Sequence, residues 1–359
     1  MTGPDRRHDM GTNPDDPLLS IEELRTHIRT QGETVRAVDG VSFDVASGET
    51  VCLVGESGSG KSVTCESLTG IVPRPPAEIV RGSISFDGLP LADLPESDLC
   101  QIRGDRIAHV FQNPQSALDP VYTVGDQVVE AIKLHRDVGS DVARERAIDH
   151  LRRVGIPRAE ERVDDYPHKF SGGMRQRVAI AIALAPDPDL LIADEPTTAV
   201  DVTVQAQLIE LLRDLTGSGL SILLVTHDLR VVASLADRVL VMYGGTIVER
   251  GPVEELFDNP AHPYTRALFE SYDGIAREER SVRGEIPSDG CRFRRECPYS
   301  IEACAGDGQP EFYPIGGRQS HRASCVYYAP ERDPTPIVED GRGNSLAEIE
   351  TETRGSDDD

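Results

Sequence analysis

The 359-residue sequence lacks tryptophan and contains only three lysines, Lys61, Lys133 and Lys169, so nearly all of its 37 basic residues are arginines. It also lacks a long apolar run. The longest, Val178–Ala185, has eight residues, whereas a membrane-spanning helix needs about 20. The first ten residues, MTGPDRRHDM, contain no apolar stretch, so we expect no secretory signal. These absences predict a soluble protein that reaches a membrane only through a partner.

The charge balance is strongly acidic, with 62 Asp and Glu residues, a net charge of -25 and a pI near 4.7. Dense carboxylates with almost no lysine keep a surface hydrated at high salt, and we interpret them as an adaptation to a salt-rich cytoplasm. An ordinary acidic protein is the alternative. The same charge argues against nucleic acid as a partner, because phosphate binding needs positive charge.

Apolar runs alternate with helical segments between the two ends of the chain. Thr50–Val54 predicts a short buried strand, and Ser83–Phe86 and Ile107–Phe111 predict two further strands. Leu190–Ala193 and Ile222–Val225 are continuous apolar runs, which predict strands that are covered on both faces. Residues 239–248 predict a hairpin that turns at Gly244 and Gly245. Ser140 is expected to cap a helix that ends at Gly155, with Val142 among its apolar positions. The alternation predicts an α/β layered core.

Residues 55–62 read GESGSGKS and match the phosphate-binding pattern G-x-x-x-x-G-K-S/T in full. Glycines let successive N–H groups point at phosphate oxygens, and a helix start adds its positive dipole end. Lys61 is expected to reach the β and γ phosphates, and Ser62 to offer its hydroxyl to Mg²⁺. The predicted nucleotide-binding residues are Gly55, Glu56, Ser57, Gly58, Ser59, Gly60, Lys61, Ser62 and Val63.

A second motif, DLLIADEP at 189–196, places two carboxylates at the end of a buried strand. Beside a phosphate loop, Asp194 can hold Mg²⁺ and Glu195 can orient the attacking water. A strand followed by a capped turn is the alternative reading of this motif by itself.

The segment SGGMRQR at 171–177 resembles the signature of the ATP-binding cassette (ABC) family, and the resemblance covers about residues 18–270. It implies an ABC-type P-loop nucleotide-binding domain in which two cassettes sandwich two ATP molecules. Gln112, Asp201 and His227 then resemble the Q-loop glutamine, the D-loop aspartate and the switch histidine. Catalytic roles are implied for Glu195, His227 and Gln112, and Mg²⁺ contacts for Ser62, Gln112 and Asp194. Contacts to the partner subunit's ATP are implied for Ser171, Gly172, Gly173 and Gln176.

One expected feature of this family is missing. An aromatic side chain that stacks on adenine is expected near Ile28, but the sequence has His27 and Ile28 there. His27 is one candidate replacement, and Val35 with Arg36 is the other.

Three further stretches, at 111–127, 166–178 and 259–268, resemble the ATPases of dipeptide/oligopeptide importers, and GGM after Ser171 resembles their D-type subunit. This implies ATP-driven peptide import, on the cytoplasmic side of the cell membrane, with two multispanning permease subunits. A second, F-type cassette and an extracellular substrate-binding protein complete the implied assembly. Nickel or sugar import, a soluble non-transport ABC ATPase and a regulatory nucleotide-binding protein that does not hydrolyse ATP are the alternatives.

Four cysteines, Cys291, Cys297, Cys304 and Cys325, fall in one short stretch. In a reducing compartment such clusters bind metal more often than they form disulfides. Their spacing favours a zinc site, and His321 allows a site of three cysteines and one histidine. The resemblance of GCRFRRECP and HRASC to the importer extension instead implies a 4Fe–4S cluster.

We therefore expect four segments along the chain. Residues 1–17 and 332–359 are polar and should be disordered tails. The nucleotide-binding domain should span 18–270, with a helical subdomain at about 113–170, and a cysteine-rich extension should span 271–331.

Overall fold

The structure is a computed structural model that describes residues 16–30, 32–112, 117–198, 202–272 and 286–338. Its smaller sheet is antiparallel, with the strand order β2-β1-β4-β5. These strands are β1 (Leu19–Arg29), β2 (Thr34–Val45), β4 (Ala77–Phe86) and β5 (Leu89–Pro90). The predicted strand Ser83–Phe86 is only the last part of β4, because the preceding residues of that strand are mostly exposed and lack a regular apolar pattern.

The larger sheet has eight strands in the order β11-β12-β10-β9-β3-β8-β7-β6. They are β3 (Thr50–Val54), β6 (Ile107–Val110), β7 (Leu190–Asp194), β8 (Ser221–Thr226), β9 (Arg238–Tyr243), β10 (Thr246–Pro252), β11 (Tyr313–Ile315) and β12 (Arg318–Ala323). Strands β6, β7, β8, β3 and β9 run parallel to one another. Every residue of β3, β7 and β8 is buried, which confirms that their apolar runs are covered on both faces. The predicted hairpin is the antiparallel pair β9–β10.

Helices cover this sheet, and one group of them forms a layer of its own beside it. The helices are α1 (Lys61–Leu68), α2 (Glu96–Asp105), α3 (Val124–His135), α4 (Ser140–Arg153), α5 (Ala159–Arg162), α6 (Gly172–Leu184), α7 (Val202–Gly217), α8 (Leu229–Leu235), α9 (Val253–Asp258), α10 (Pro263–Tyr272) and α11 (Thr335–Val338). Helices α3 and α4 pack on each other and on α6 through buried residues such as Ile132, Leu151 and Val178. Within the described ranges, no helix combines the length and the apolar character needed to cross a bilayer.

Two details of α4 differ from the prediction. The residue before the helix, Gly139, occupies the cap position and Ser140 is the first helical residue, so its hydroxyl does not cap the helix. Val142 is 45% exposed, whereas Ala147 and Leu151 are wholly buried. The apolar spacing therefore identified the helix but assigned one side chain to the wrong face.

The C-terminal segment 286–338 joins the larger sheet instead of forming a sheet of its own. Strands β11 and β12 extend the larger sheet at its β10 edge, through antiparallel pairing of β12 with β10. Helix α11 lies beyond the expected boundary at residue 331, and Ile337 in it is wholly buried. Most of the two expected tails, residues 1–15 and 339–359, lies outside the described residues.

Candidate functional site

The phosphate loop, residues 55–62, connects the end of β3 to the start of α1. Lys61 is buried, and its Nζ donates hydrogen bonds to the carbonyls of Gly55 (2.7 Å) and Glu56 (2.8 Å). Burial lowers the pKa of Lys61, and the nearby carboxylates of Glu195 and Asp194 oppose that shift. The loop thus curls around one ammonium group beside two carboxylates.

Gly60, which precedes α1, has a φ of 106°, in the left-handed region that favours glycine. A Cβ at this position would collide with the carbonyl oxygen of Ala37 on β2. The glycine before Lys61 is therefore required by the conformation of the loop and by the close approach of β2.

Asp194 ends β7 and lies beside the start of α1. The Ser62 hydroxyl is hydrogen-bonded to its carboxyl group, while burial raises the pKa of Asp194. Its side chain is 9% exposed, and Oδ1 has no hydrogen-bond partner among the residues that the structure describes. A buried carboxylate oxygen and a hydroxyl are hard ligands, so Ser62 and Asp194 fit Mg²⁺ chemically.

Glu195 follows directly and has a φ of 47°, which is uncommon for a residue with a side chain. Its carboxylate receives hydrogen bonds from Gln112 Nε2 (3.1 Å) and Thr198 Oγ1 (2.9 Å), and lies 3.1 Å from His227 Nδ1. Burial raises the pKa of Glu195, but these hydrogen bonds outweigh burial and hold the pKa below its usual value. The structure thus brings the three predicted catalytic residues together. It adds Thr198, which was not predicted although it lies three residues beyond Glu195.

A cavity of about 770 Å³ opens over the loop. The predicted site residues that line this cavity are Ser57, Gly58, Gly60, Lys61, Ser62, Val63, Gln112 and Glu195. The predicted residues Gly55, Glu56 and Ser59 do not line the cavity, and the Ser59 side chain is buried. Val35 and Arg36 also line the cavity, together with Ile28, whereas His27 does not. Three lining residues come from the C-terminal segment and were not predicted: Ile286, Ser288 and Arg292.

The signature residues lie at the start of α6. The exposed Ser171 caps this helix and accepts a hydrogen bond from the backbone N–H of Met174 (3.3 Å). Gly172 is half-buried beside it, and Gly173 is buried. Gln176 is 0% exposed. The structure therefore does not place Gln176 with the surface residues of the signature, because it lies on the inner face of α6. Asp201 lies outside the described residues.

The four C-terminal cysteines are free thiols, of which only Cys297 is partly exposed. Burial raises the pKa of Cys291 to about 11 and those of Cys297 and Cys325 to about 12, and the charges of neighbouring thiols contribute. No group of three or more His, Cys, Asp or Glu side chains in the described ranges has the arrangement of a metal site.

His321 does not join the cysteines. Its Nε2 lies 2.7 Å from Glu249 Oε1 in a buried pair, so the ring serves the contact between β12 and β10. This position argues against the alternative site of three cysteines and one histidine.

Comparison with known families gives two successive matches along the chain. Residues 38–198 match the family described as ABC transporter. Residues 248–304 match the family described as oligopeptide/dipeptide transporter, C-terminal region.

Individual proteins of known sequence agree with these matches. The oligopeptide transport ATP-binding protein AppD of Bacillus subtilis is 47% identical over 323 residues, which cover 88% of this chain and 98% of AppD. The oligopeptide transport ATP-binding protein OppD of the same organism is 50% identical over 271 residues, which cover 75% of this chain and 76% of OppD.

Solved structures share the cassette. MJ0796, an ATP-binding cassette solved as a dimer in a post-hydrolysis state bound to ADP and Pi, gives a TM-score of 0.59 at 27% identity, over 66% of this chain and 98% of its own. The cbiO1 protein of Clostridium perfringens, part of the ABC transporter complex cbiONQ, gives 0.59 at 30% identity, over 68% and 91% of the two chains.

Proposed function

Since the chain belongs to the peptide-import ATP-binding subunits of the ABC transporter family, we propose that Glu195 is the group that activates water for ATP hydrolysis. The observation that carries this role is its set of three polar neighbours, Gln112, Thr198 and His227, at the cavity over the phosphate loop. Because its pKa is held below the usual value, the carboxylate is ionised at neutral pH and can accept a hydrogen bond from water.

The remaining residues of the site position the triphosphate. The loop N–H groups and the start of α1 bind phosphate oxygens, and Lys61 exchanges its carbonyl partners for the β and γ phosphates. Ser62 and Asp194 would hold Mg²⁺, with Gln112 facing the same point, and the ion would neutralise phosphate charge. Gln112 and His227 then orient the water and the γ-phosphate around Glu195.

We propose that Ser171, Gly172 and Gly173 contact the ATP bound to a second cassette. Ser171 is exposed and Gly172 is half-buried at the start of a helix, which supports this role, as does the dimeric state of the related cassette MJ0796. Gln176 is left out of this contact because it is wholly buried. We keep Asp201 as the D-loop residue on its sequence motif. The GGM signature supports an F-type subunit as the partner.

A membrane permease of two subunits is the proposed partner for the surface next to Gln112. Phe111, Val121 and Tyr122 are large apolar side chains that are all about half exposed or more. Exposed apolar residues grouped in one stretch are typical of protein interfaces. The subunit would therefore bind at the cytoplasmic side of the membrane, and an extracellular binding protein would deliver peptides. The names of the relatives, peptide and oligopeptide transport proteins, favour peptides over nickel or sugars.

Co-purification tests this assembly. We would tag the protein in its own host and isolate it from membranes in high salt. We expect two multispanning proteins, a second cassette and a substrate-binding protein in the eluate. Recovery only from the soluble fraction, or with ribosomes, would refute transport but not ATP hydrolysis. A variant with Val121→Asp and Tyr122→Asp should lose the permease and keep ATP binding.

We propose that the four C-terminal cysteines hold a 4Fe–4S cluster. The charges of other cysteines in the group act on Cys297 and Cys325, which supports this, because four thiolates are the usual ligands of such a cluster. Backbone N–H groups hydrogen-bond three of the sulfurs, at Cys291, Cys297 and Cys325, as expected for thiolates.

Metal analysis of anaerobically purified protein tests the cluster. We expect iron and acid-labile sulfide in the wild type and in Cys100→Ser, where the thiol is exposed and lies far along the chain. Both should be lost in Cys297→Ser. If the protein contained zinc but neither iron nor sulfide, the cysteines would form a zinc site and not hold a cluster.

We propose that the acidic surface is an adaptation to high salt, supported by the net charge of -25. The thermal midpoint of unfolding should rise as KCl is increased from physiological to molar concentration. A flat or falling midpoint would contradict the adaptation.

A further inference from the structure

The nucleotide cavity is closed by parts of the chain that are far apart in sequence. The phosphate loop, Gln112 and Glu195 account for the triphosphate. The other lining residues are left for the base and sugar: Ile28, Glu33, Thr34, Val35, Arg36, Ala37, Gly244, Gly245, Ile286, Ser288 and Arg292. Among them is no aromatic residue, and the last three belong to the C-terminal segment.

Arg292 is held in this wall by buried polar contacts. It is 7% exposed, and its guanidinium donates hydrogen bonds to the carboxylate of Asp39 and to the carbonyl of Pro287. Asp39 is buried too and offsets the positive charge. The Arg292 Nε is buried and has no hydrogen-bond partner in the part of the chain that the structure describes. Arg292 lines the cavity, and a buried N–H donor that lacks a partner beside a cavity is suited to an acceptor on a ligand.

The hairpin turn between β9 and β10 explains why the C-terminal segment reaches the cavity. Gly244 has a φ of 55°, and a Cβ there would lie 2.9 Å from Ile286 Cγ2 and 3.3 Å from Arg292 Cβ. The segment therefore packs directly on the turn. The next residue, Gly245, donates its N–H to the carbonyl of Ser59 in the phosphate loop (2.9 Å).

A second contact joins the segment to β2. Arg36 donates a hydrogen bond to the carbonyl of Ser288 (3.3 Å) and lines the cavity itself. The wall is thus tied to both elements that border the phosphate loop, the β9–β10 turn and β2.

We infer that residues 286–292 form part of the nucleotide site of their own subunit and bind the nucleoside portion. Ile286 supplies an apolar face for the base in place of the missing aromatic, and Arg292 supplies a hydrogen-bond donor to base or sugar. This inference rests on the proposed nucleotide site. It makes the C-terminal extension a determinant of nucleotide affinity, besides any role of its cysteines.

Calorimetric titration with ADP and with inorganic tripolyphosphate separates the two ends of the site. Arg292→Ala should weaken ADP binding about tenfold, the equivalent of one hydrogen bond to a charged donor. Ile286→Ala should weaken it about threefold through lost apolar contact, and it leaves the Arg292–Asp39 pair intact. Both variants should bind tripolyphosphate like the wild type.

Two control variants distinguish a failure of this inference from a failure of the proposed phosphate site. Arg332→Ala makes the same chemical change at an exposed position of the C-terminal segment and should bind both ligands normally. Lys61→Ala should lose both ligands. Unchanged ADP affinity in Arg292→Ala and Ile286→Ala would overturn the inference, as would an equal loss of ADP and tripolyphosphate in Ile286→Ala. Normal binding by Lys61→Ala would instead overturn the proposed phosphate site.

Discussion

The phosphate end of the site and the contact between β10 and the C-terminal segment each contain a buried acidic side chain. The two side chains differ in whether their carboxylate oxygens have hydrogen-bond partners. Asp194 has an oxygen without a partner among the described residues, and its pKa is raised. Glu249, which is 0% exposed, accepts hydrogen bonds from the backbone N–H groups of Ala261 (2.8 Å) and His262 (2.7 Å) and pairs with His321 (2.7 Å). Buried polar groups left unsatisfied cost stability, so they are kept where a ligand will satisfy them.

The largest effect should come from the phosphate end, through Glu195→Gln. The amide cannot accept a proton from water, so steady-state ATP hydrolysis should fall about 10³-fold. ATP binding should persist, because Lys61 and the loop are unchanged, and the cassettes should accumulate as a closed dimer. Hydrolysis assays and size-exclusion chromatography with ATP measure the two outcomes.

Glu254→Gln is the matched control, since Glu254 is exposed on α9. It should hydrolyse ATP like the wild type. If Glu195→Gln also kept its hydrolysis rate, another group would have to activate the water.

The second-largest effect should come from Glu249→Ala, at the contact between β10 and the C-terminal segment. This change leaves two backbone N–H groups and His321 buried without a partner, so the free energy of unfolding should fall by about 3 kcal/mol. Denaturant unfolding followed by circular dichroism would measure it.

Glu255→Ala serves as the control, because Glu255 also contacts β12 but pairs with the exposed Arg318 at 3.3 Å. A surface pair of this kind contributes about 1 kcal/mol or less. Equal losses in the two variants would remove the distinction between buried and exposed contacts to the segment.

A smaller effect, of opposite sign, is expected for Asp194→Asn. Burial raises the pKa of Asp194 in the folded state above its unfolded value. Its stabilising contribution is therefore complete below the unfolded pKa and is lost as pH rises through the folded pKa. Once the pH exceeds the folded pKa, the ionised group is a cost, so Asn should then stabilise the nucleotide-free protein by on the order of 1 kcal/mol.

The same variant should hydrolyse ATP poorly, because a Mg²⁺ ligand is lost. Its gain in stability should disappear when unfolding is measured at acid pH, where the wild-type carboxyl is protonated. A loss of stability at neutral pH would contradict our description of Asp194 as an unsatisfied group.

The same two regions differ in how far they were predictable. The phosphate loop occupies consecutive residues, and Glu195 directly follows a buried strand, so local patterns identified both. The contact between Asp39 and Arg292 joins residues 253 positions apart and depends on how the segment packs on Gly244. No local pattern carries that information.

Of the antiparallel sheet, the sequence patterns predicted only the last part of β4. The reason is physical. Strand β1 alternates imperfectly between buried and exposed residues, because its pairing with β2 shifts register at three places. Such bulges interrupt the two-residue period on which strand prediction depends.

The smallest expected effect concerns Thr198, the partner of Glu195 that the sequence did not reveal. Thr198→Val removes one hydrogen bond to the carboxylate, so the pKa of Glu195 should rise toward its usual value. Because the group acts in its ionised form, the acid limb of kcat/KM should move to higher pH by a fraction of a unit. Thr203→Val, at an exposed position of α7, should leave the profile in place. A uniform loss of activity at every pH, with the limb unmoved, would mean that Thr198 supports the turn and does not tune the carboxylate.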